Sequence, residues 1–366
     1  MRVLKIETKI PEIEYRDFSS FLDGKGHEVG RPIRGQIELT YKCNIHCLHC
    51  YTDCHNNPED IQKELDHQEV IRILNEIYET GCLWLCFTGG EIFMRKDFFE
   101  IYDYAKKKGF LITLFTNATM ITPEIADRLA EDPPFSIETS CHGGTEEVFD
   151  TVTQVAGSFR RFVEGVRLLV ERKLPVKVKT KAMTLNRGRL HEIKELVESF
   201  GLEFRLSTTI YPDLNGSLKP CSYRLTPEEI VALEIDEKDL DREDRCVEVS
   251  DEPTERLYRC GCGTTTFHVS AWGDLGTCTF VGEPRASLKE YSFKEALQEV
   301  FPIILSLTYQ TNSPCRQCTV YSMCGKMPFP ASFENGNMEM PVDHFCQTAH
   351  LLAERIKGGK NDEKNL

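Results

Sequence analysis

Three cysteines, Cys43, Cys47 and Cys50, fall in one short run, Leu39-Thr-Tyr-Lys-Cys-Asn-Ile-His-Cys-Leu-His-Cys-Tyr51. Their C-x3-C-x2-C spacing is that of a metal site. A cubane iron–sulfur cluster usually takes four thiolates, so three leave one iron open, where a small molecule can bind and be reduced. A zinc knuckle is the other reading. It needs a fourth ligand, which His46, His49, Cys54 or His55 could supply.

The chain carries 16 cysteines in 366 residues. The N-terminal residues lack the apolar core of a signal peptide. No apolar run reaches the ~20 residues needed to cross a bilayer. These features predict a reduced, cytoplasmic protein with no membrane role, where clustered cysteines more often mean metal than disulfide. A net charge of −14 argues against nucleic-acid binding. At 40% hydrophobic residues the chain can bury a core.

From Gly35 onward, strand and helix signals alternate. Strands are expected at Gln36–Thr40, Leu83–Phe87, Leu111–Thr116, Phe135–Ser140, Val176–Met183 and Glu203–Ile210. Helices fall between them. One is marked by Val70, Ile71, Leu74, Ile77 and Tyr78 at helical spacing. Others cover Phe98–Lys108, Phe159–Lys173 with Ser158 as N-cap, and Leu190–Phe200. Thr226-Pro-Glu-Glu229 is a capping box. About six βα units imply an α/β fold with a parallel sheet, fewer units than a full eight-fold barrel has. The expected organisation is an N-terminal arm (1–33), an α/β domain (34–235), a charged linker (236–258), a cysteine-rich domain (259–350) and a C-terminal tail (351–366).

In a parallel α/β domain, ligands gather beyond the C-terminal ends of the strands. The cysteine loop follows the first strand, Gly89-Gly90-Glu91 the second, Asn117 the third, and Ser140 closes the fourth. Glycines let a backbone approach a ligand closely, and Glu91 can accept from an ammonium. His142, Lys181, Asn186 and Tyr211 also fall near strand ends. Cys82 and Cys86 read as buried apolar residues. Cys141 is a candidate hydrogen-atom donor, set against the reading of a small residue beside the site.

The C-x3-C-x2-C loop and Gly89-Gly90-Glu91, in this order and strand context, resemble the radical S-adenosylmethionine (SAM) enzymes over about residues 35–215. The resemblance implies a partial (β/α)6 TIM-like barrel. It implies a [4Fe–4S] cluster on Cys43, Cys47 and Cys50, with SAM on the open iron. Gly89, Gly90 and Glu91 would face the SAM amine, His49 and Tyr51 the adenine, and Asn117 and Ser140 would complete the SAM site. The flanks of Ser140, Ile-Glu-Thr-Ser-Cys-His-Gly143, depart from the commoner Ile-Ser-Leu-Asp-Gly.

The later cysteines resemble the SPASM extension of that family, which carries auxiliary [4Fe–4S] clusters. By that resemblance Cys315, Cys318, Cys324 and Cys346 form a complete ligand set. Cys260, Cys262 and Cys278 belong to another, whose last cysteine is replaced by Met327-Pro328. Three readings of that gap stand. Cys260 and Cys262 both ligate and leave an iron open, or Cys246 or Cys221 completes the set, or the cluster is altered. A pair of structural zinc sites is the non-redox alternative.

The activity implied is reductive cleavage of SAM to a 5′-deoxyadenosyl radical that takes hydrogen from a peptide or protein. The products would be thioether or other crosslinks. Ferredoxin or flavodoxin would donate the electron. The stretch before Gly35 is too short for a leader-binding domain, so a separate protein could serve. The other readings are a small-molecule or tetrapyrrole enzyme, a sulfatase-type maturase, and a zinc-stabilised binding module.

Overall fold

The computed structural model describes residues 13–52, 57–236 and 253–362. Cys54, His55 and Cys246, and most of the expected charged linker, lie outside them.

Six strands run parallel in sequence order: β1 (Arg34–Thr40), β2 (Trp84–Gly89), β3 (Leu111–Phe115), β4 (Ser136–Ser140), β5 (Val176–Lys181) and β6 (Phe204–Ser207). Each pairs with the next. Helices including His67–Glu79, Phe98–Lys108, Pro123–Glu131, Ser158–Glu171 and Leu190–Ser199 supply the crossovers. The sheet is open, so the α/β partial-barrel expectation holds.

The strands alternate strictly, and the alternation separates two environments. Ile37, Leu39, Leu85, Phe87, Ile112, Leu114, Ile137, Val176, Val178, Phe204 and Leu206 face the helices and are buried in one apolar core. The opposite face is polar. Register places Gln36, Cys86, Thr113 and Ser136 in one row, Phe115, Glu138 and Lys177 in another, and Ser140, Lys179 and Arg205 in a third. A curved sheet therefore encloses a polar interior. Lys179 bridges to Glu138 there at 3.0 Å.

The sheet does not stop where the βα rhythm does. β7 (Thr266–Val269) pairs in parallel with β1, Gln36 opposite His268. β8 (Asp274–Gly276) and β9 (Ala286–Ser287) follow antiparallel, giving the order β6-β5-β4-β3-β2-β1-β7-β8-β9. The cysteine-rich segment is thus built onto the first strand of the barrel rather than standing apart from it. Glu38 marks the seam. Only 1% exposed, it accepts from Tyr41 Oη at 2.7 Å and lies 3.3 Å from His268 Nε2.

Three local expectations change. The arm contains a helix, Tyr15–Val29, whose Tyr15 and Phe18 rings pack on Trp84 at the start of β2. The helix Asp343–Asp362 occupies most of the expected tail. Ser158 is the first residue of its helix, not the cap: Gly157 takes that place, and Asp150 accepts from Gly157 N and Phe159 N at 2.6 and 2.9 Å. The Thr226–Glu229 capping box forms in both directions.

Candidate functional site

The cysteine loop leaves β1 at its C-terminal end and is pinned by backbone bonds. His46 N and Leu48 N donate to Thr153 O and Val152 O at 2.8 and 3.0 Å. Cys50 N donates to Cys47 O at 3.0 Å, turning the last two thiols to one side.

Each thiol has a polar neighbour of its own. Asn117 Nδ2 reaches Cys43 Sγ at 3.8 Å, His142 Nε2 lies 3.7 Å from Cys47 Sγ, and Thr52 Oγ1 lies 3.2 Å from Cys50 Sγ. Asn117 follows β3 and His142 follows β4, so three strand ends converge on one loop. Polar groups beside each sulfur, with Asn117 donating to Cys43, suit thiolates, which is the form that ligates metal.

Gly89-Gly90-Glu91 brings β2 against the same loop. Gly89 has φ 134°, a conformation open to glycine. A Cβ on Gly90 would sit 2.2 Å from Lys42 O. That space is needed because Gly90 N and Glu91 N donate to Thr40 O and Lys42 O. The glycines therefore serve close approach of two backbones, β2's end against the cysteine loop.

The Glu91 carboxylate differs from its expected role. It is fully buried and accepts from Thr116 Oγ1 (2.8 Å), Asn117 N (2.7 Å) and Phe93 N (3.3 Å). Burial pushes it up to about 7 despite these donors. Its oxygens tie β2 to β3 instead of facing outward to an ammonium.

His49 stacks edge-on to His142 at 5.0 Å, and burial, with His142 and Lys181 nearby, lowers its pKa. Tyr51 meets Phe280 at 5.0 Å. Phe280 meets Tyr211, and Tyr211 meets Phe345, so an aromatic row joins the cysteine loop to the cysteine-rich segment. Phe280 and Phe345 carried no motif in the sequence, although each lies beside a ligand candidate, Cys278 and Cys346. Ser140 and Lys181 lie on the inner polar face, and Lys181 donates to Ser207 Oγ at 2.6 Å. Asn186 braces this end, donating to Lys181 O and His142 O.

Two further cysteines lie near this end. Cys141 is fully buried, its thiol turned to Gly143 O at 3.4 Å, and burial pushes it up to about 12. It packs as core and does not reach the interior as a hydrogen-atom donor. Cys86, expected in the core, is on the polar inner face beside Glu138 and Lys179. Its apolar reading failed because a strand's two faces differ only by register.

The later cysteines gather in two places. Cys260 and Cys262 approach to 3.1 Å between sulfurs and line, with Cys278, a cavity of about 110 Å³. Met327 and Pro328 line it too; Cys221 does not. Cys315, Cys318, Cys324 and Cys346 line a second cavity. No disulfide joins any described cysteine. Among the described residues no three His, Cys, Asp or Glu side chains converge as a single-ion site.

An open parallel sheet whose first strand feeds a three-thiol loop, braced by glycines after the second, agrees with the radical SAM resemblance of the sequence. Residues 37–200 match the family profile of the radical SAM superfamily, so this part of the chain is a radical SAM domain. The chain is 30% identical over 192 residues to the mycofactocin maturase MftC of Mycobacterium ulcerans, covering 52% of this chain and 51% of that one. It is 28% identical over 190 residues to an AdoMet-dependent heme synthase of Methanosarcina barkeri, covering 51% and 54%. The chain thus spans about half the length of these curated relatives. The crystal structure of Streptococcus suis SuiB bound to its precursor peptide SuiA shares the fold, with a TM-score of 0.67 at 14% identity, covering 93% of this chain and 83% of that one.

Proposed function

We propose that this chain is a peptide-maturing radical SAM enzyme. The observation that carries the reading is the converging loop: three thiols at the mouth of a polar barrel, with Asn117, His142 and Thr52 beside their sulfurs. Such a donor set fits a thiolate-bound [4Fe–4S] cluster on Cys43, Cys47 and Cys50. Cluster and SAM, when bound, supply one-electron cleavage of a carbon–sulfur bond and abstraction of a substrate hydrogen atom.

The chain's own residues do the rest. Asn117 and His142 orient sulfur. Gly89 and Gly90 hold the loop against β2, and their backbone with that of Glu91 borders the SAM site. His49 and Tyr51 flank the adenine. Ser140 and Lys181, on the inner face, meet SAM or substrate. Cys315, Cys318, Cys324 and Cys346 hold one auxiliary cluster. Cys260, Cys262 and Cys278 hold another through three ligands. The open position there suits a substrate thiolate and favours thioether formation.

The likeness to a peptide maturase supports a peptide substrate. A ferredoxin or flavodoxin supplies electrons, a separate protein binds any leader, and the setting is a reducing cytoplasm. Among the described residues no helix is long and apolar enough to cross a membrane.

Anaerobic reconstitution, then incubation with SAM, dithionite and a cysteine-containing precursor peptide encoded beside the gene, tests this. The expected result is peptide-dependent 5′-deoxyadenosine and a peptide lighter by two hydrogens. Turnover of a tetrapyrrole in place of the peptide would support the heme-synthase-like reading. A colourless zinc protein would sink both.

A further inference from the structure

One charged side chain in the cysteine-rich segment has no part in that reading. Lys326 is 5% exposed, the only buried lysine among the described residues. It lies in Cys324-Gly-Lys-Met-Pro328, where the auxiliary cysteine pattern breaks. Its Nζ donates to Glu339 O at 2.9 Å and points at Cys315 Sγ at 3.8 Å. Among the described residues it has no carboxylate partner. The Glu339 carboxylate is near enough to act on the ammonium through space, but its oxygens accept from Gln310 N and Thr311 N. Lys326 lines both cysteine cavities, standing in the wall between them.

An ammonium buried without a counter-charge is costly, and folds keep one only where an anion repays it. Lys326 Nζ stands 3.8 Å from Cys315 Sγ, in the wall of the cavity that Cys315, Cys318, Cys324 and Cys346 line, so a negative group held there lies directly against the ammonium. Four thiolates around an iron–sulfur cube are net negative, and each added electron makes them more so. Such an occupant would add to the Glu339 carbonyl and carboxylate in offsetting the burial of Lys326. Arg259, another cation nearby, donates through one guanidinium nitrogen to the carbonyl oxygens of Cys315 and Arg316 and stacks on Tyr321.

We propose that Lys326 is a positioning residue that compensates the charge of the auxiliary cluster on Cys315, Cys318, Cys324 and Cys346. Its charged N–H···S contact to Cys315 raises that cluster's reduction potential. Held by Cys315, Cys318, Cys324 and Cys346, a cluster would supply a one-electron acceptor for the electron that leaves the substrate radical, and Lys326 would stabilise its reduced state. The inference rests on the proposed ligation of that cluster.

The test uses the full chain reconstituted anaerobically, in a Cys47→Ala background that removes the signal of the SAM-binding cluster. Iron and sulfide are counted first, and an EPR-monitored redox titration follows. Lys326→Met keeps the length of the side chain and removes its charge. Its ratio of reduced to oxidised cluster at fixed potential should fall about tenfold, ~59 mV for a one-electron couple. Lys326→Arg should stay close to the parent. Unchanged potential in Lys326→Met, or equal shifts in both variants, overturns the proposal. Loss of this cluster's iron in Lys326→Met but not in Lys326→Arg supports it, because charge is then needed for assembly. Loss in both points to packing and overturns it. If the parent chain itself lacks this iron, the ligation reading fails first and takes the inference with it; the iron count separates the two failures.

Discussion

Asn117 donates its backbone N–H to Glu91 Oε2 at 2.7 Å while its side-chain amide reaches Cys43 Sγ at 3.8 Å. The ends of β2, β3 and the cysteine loop are therefore held through one pair of residues. Glu91 is the hub because it is fully buried and engaged by three donors.

Glu91→Gln keeps the volume but sets an N–H against a donor. A buried donor left without an acceptor costs about 1–3 kcal/mol. Denaturant unfolding of the reconstituted protein should show a loss of that order, with less iron retained at the Cys43 site. Unchanged stability would mean that the three bonds do not hold the site together.

Gly90→Ala should be worse for the site than for the fold. The added methyl would meet Lys42 O at 2.2 Å, and Lys42 adjoins Cys43. Overpacking of this kind costs roughly 1–3 kcal/mol and pushes the loop off β2. The expected result is loss of SAM-site iron, seen in absorbance near 400 nm, with the iron of the later cysteines retained. Gly188→Ala, where nothing lies within 4 Å, is the neutral control.

Cys47→Ala should abolish 5′-deoxyadenosine formation while sparing auxiliary iron, because the two groups of cysteines occupy separate places. Loss of all iron together would show that the clusters assemble as a unit.

Asp150→Ala tests the helix cap that replaced Ser158. Burial would raise the Asp150 carboxyl, but the Phe159, Ser158 and Gly157 donors hold it below its ordinary value. A carboxyl lowered on folding stabilises above its unfolded pKa and stops doing so as pH falls through the folded one. The variant should cost about 1–2 kcal/mol at neutral pH. That difference should shrink when unfolding is measured below about pH 4. A pH-independent difference would assign the loss to packing instead.

Much of the barrel was legible because its signals are local. Strand alternation, helical spacing and the Thr226 capping box each depend on neighbours a few residues away. The C-x3-C-x2-C loop was legible for the same reason. The failures share a cause of the opposite kind. Tyr15–Val29 is a helix whose aromatic residues pack on Trp84, a partner sequence pattern does not reveal. Cys86 lies on the inner face because inward and outward faces depend on register across strands. Glu91 looked like a ligand-facing acid; only the positions of Thr116 and Asn117 turned it inward.

The sequence by itself determined that three thiols follow a first strand and a double glycine follows a second, because chain connectivity sets both. Tertiary structure decided which groups stand beside those thiols, that the cysteine-rich segment continues the sheet through β7, and that Lys326 is buried at 3.8 Å from Cys315. The Asn117 and His142 contacts to sulfur and the β1–β7 pairing join segments far apart in the chain, made only when the sheet sets its register. A buried charge can be recognised as such only after folding has removed its water.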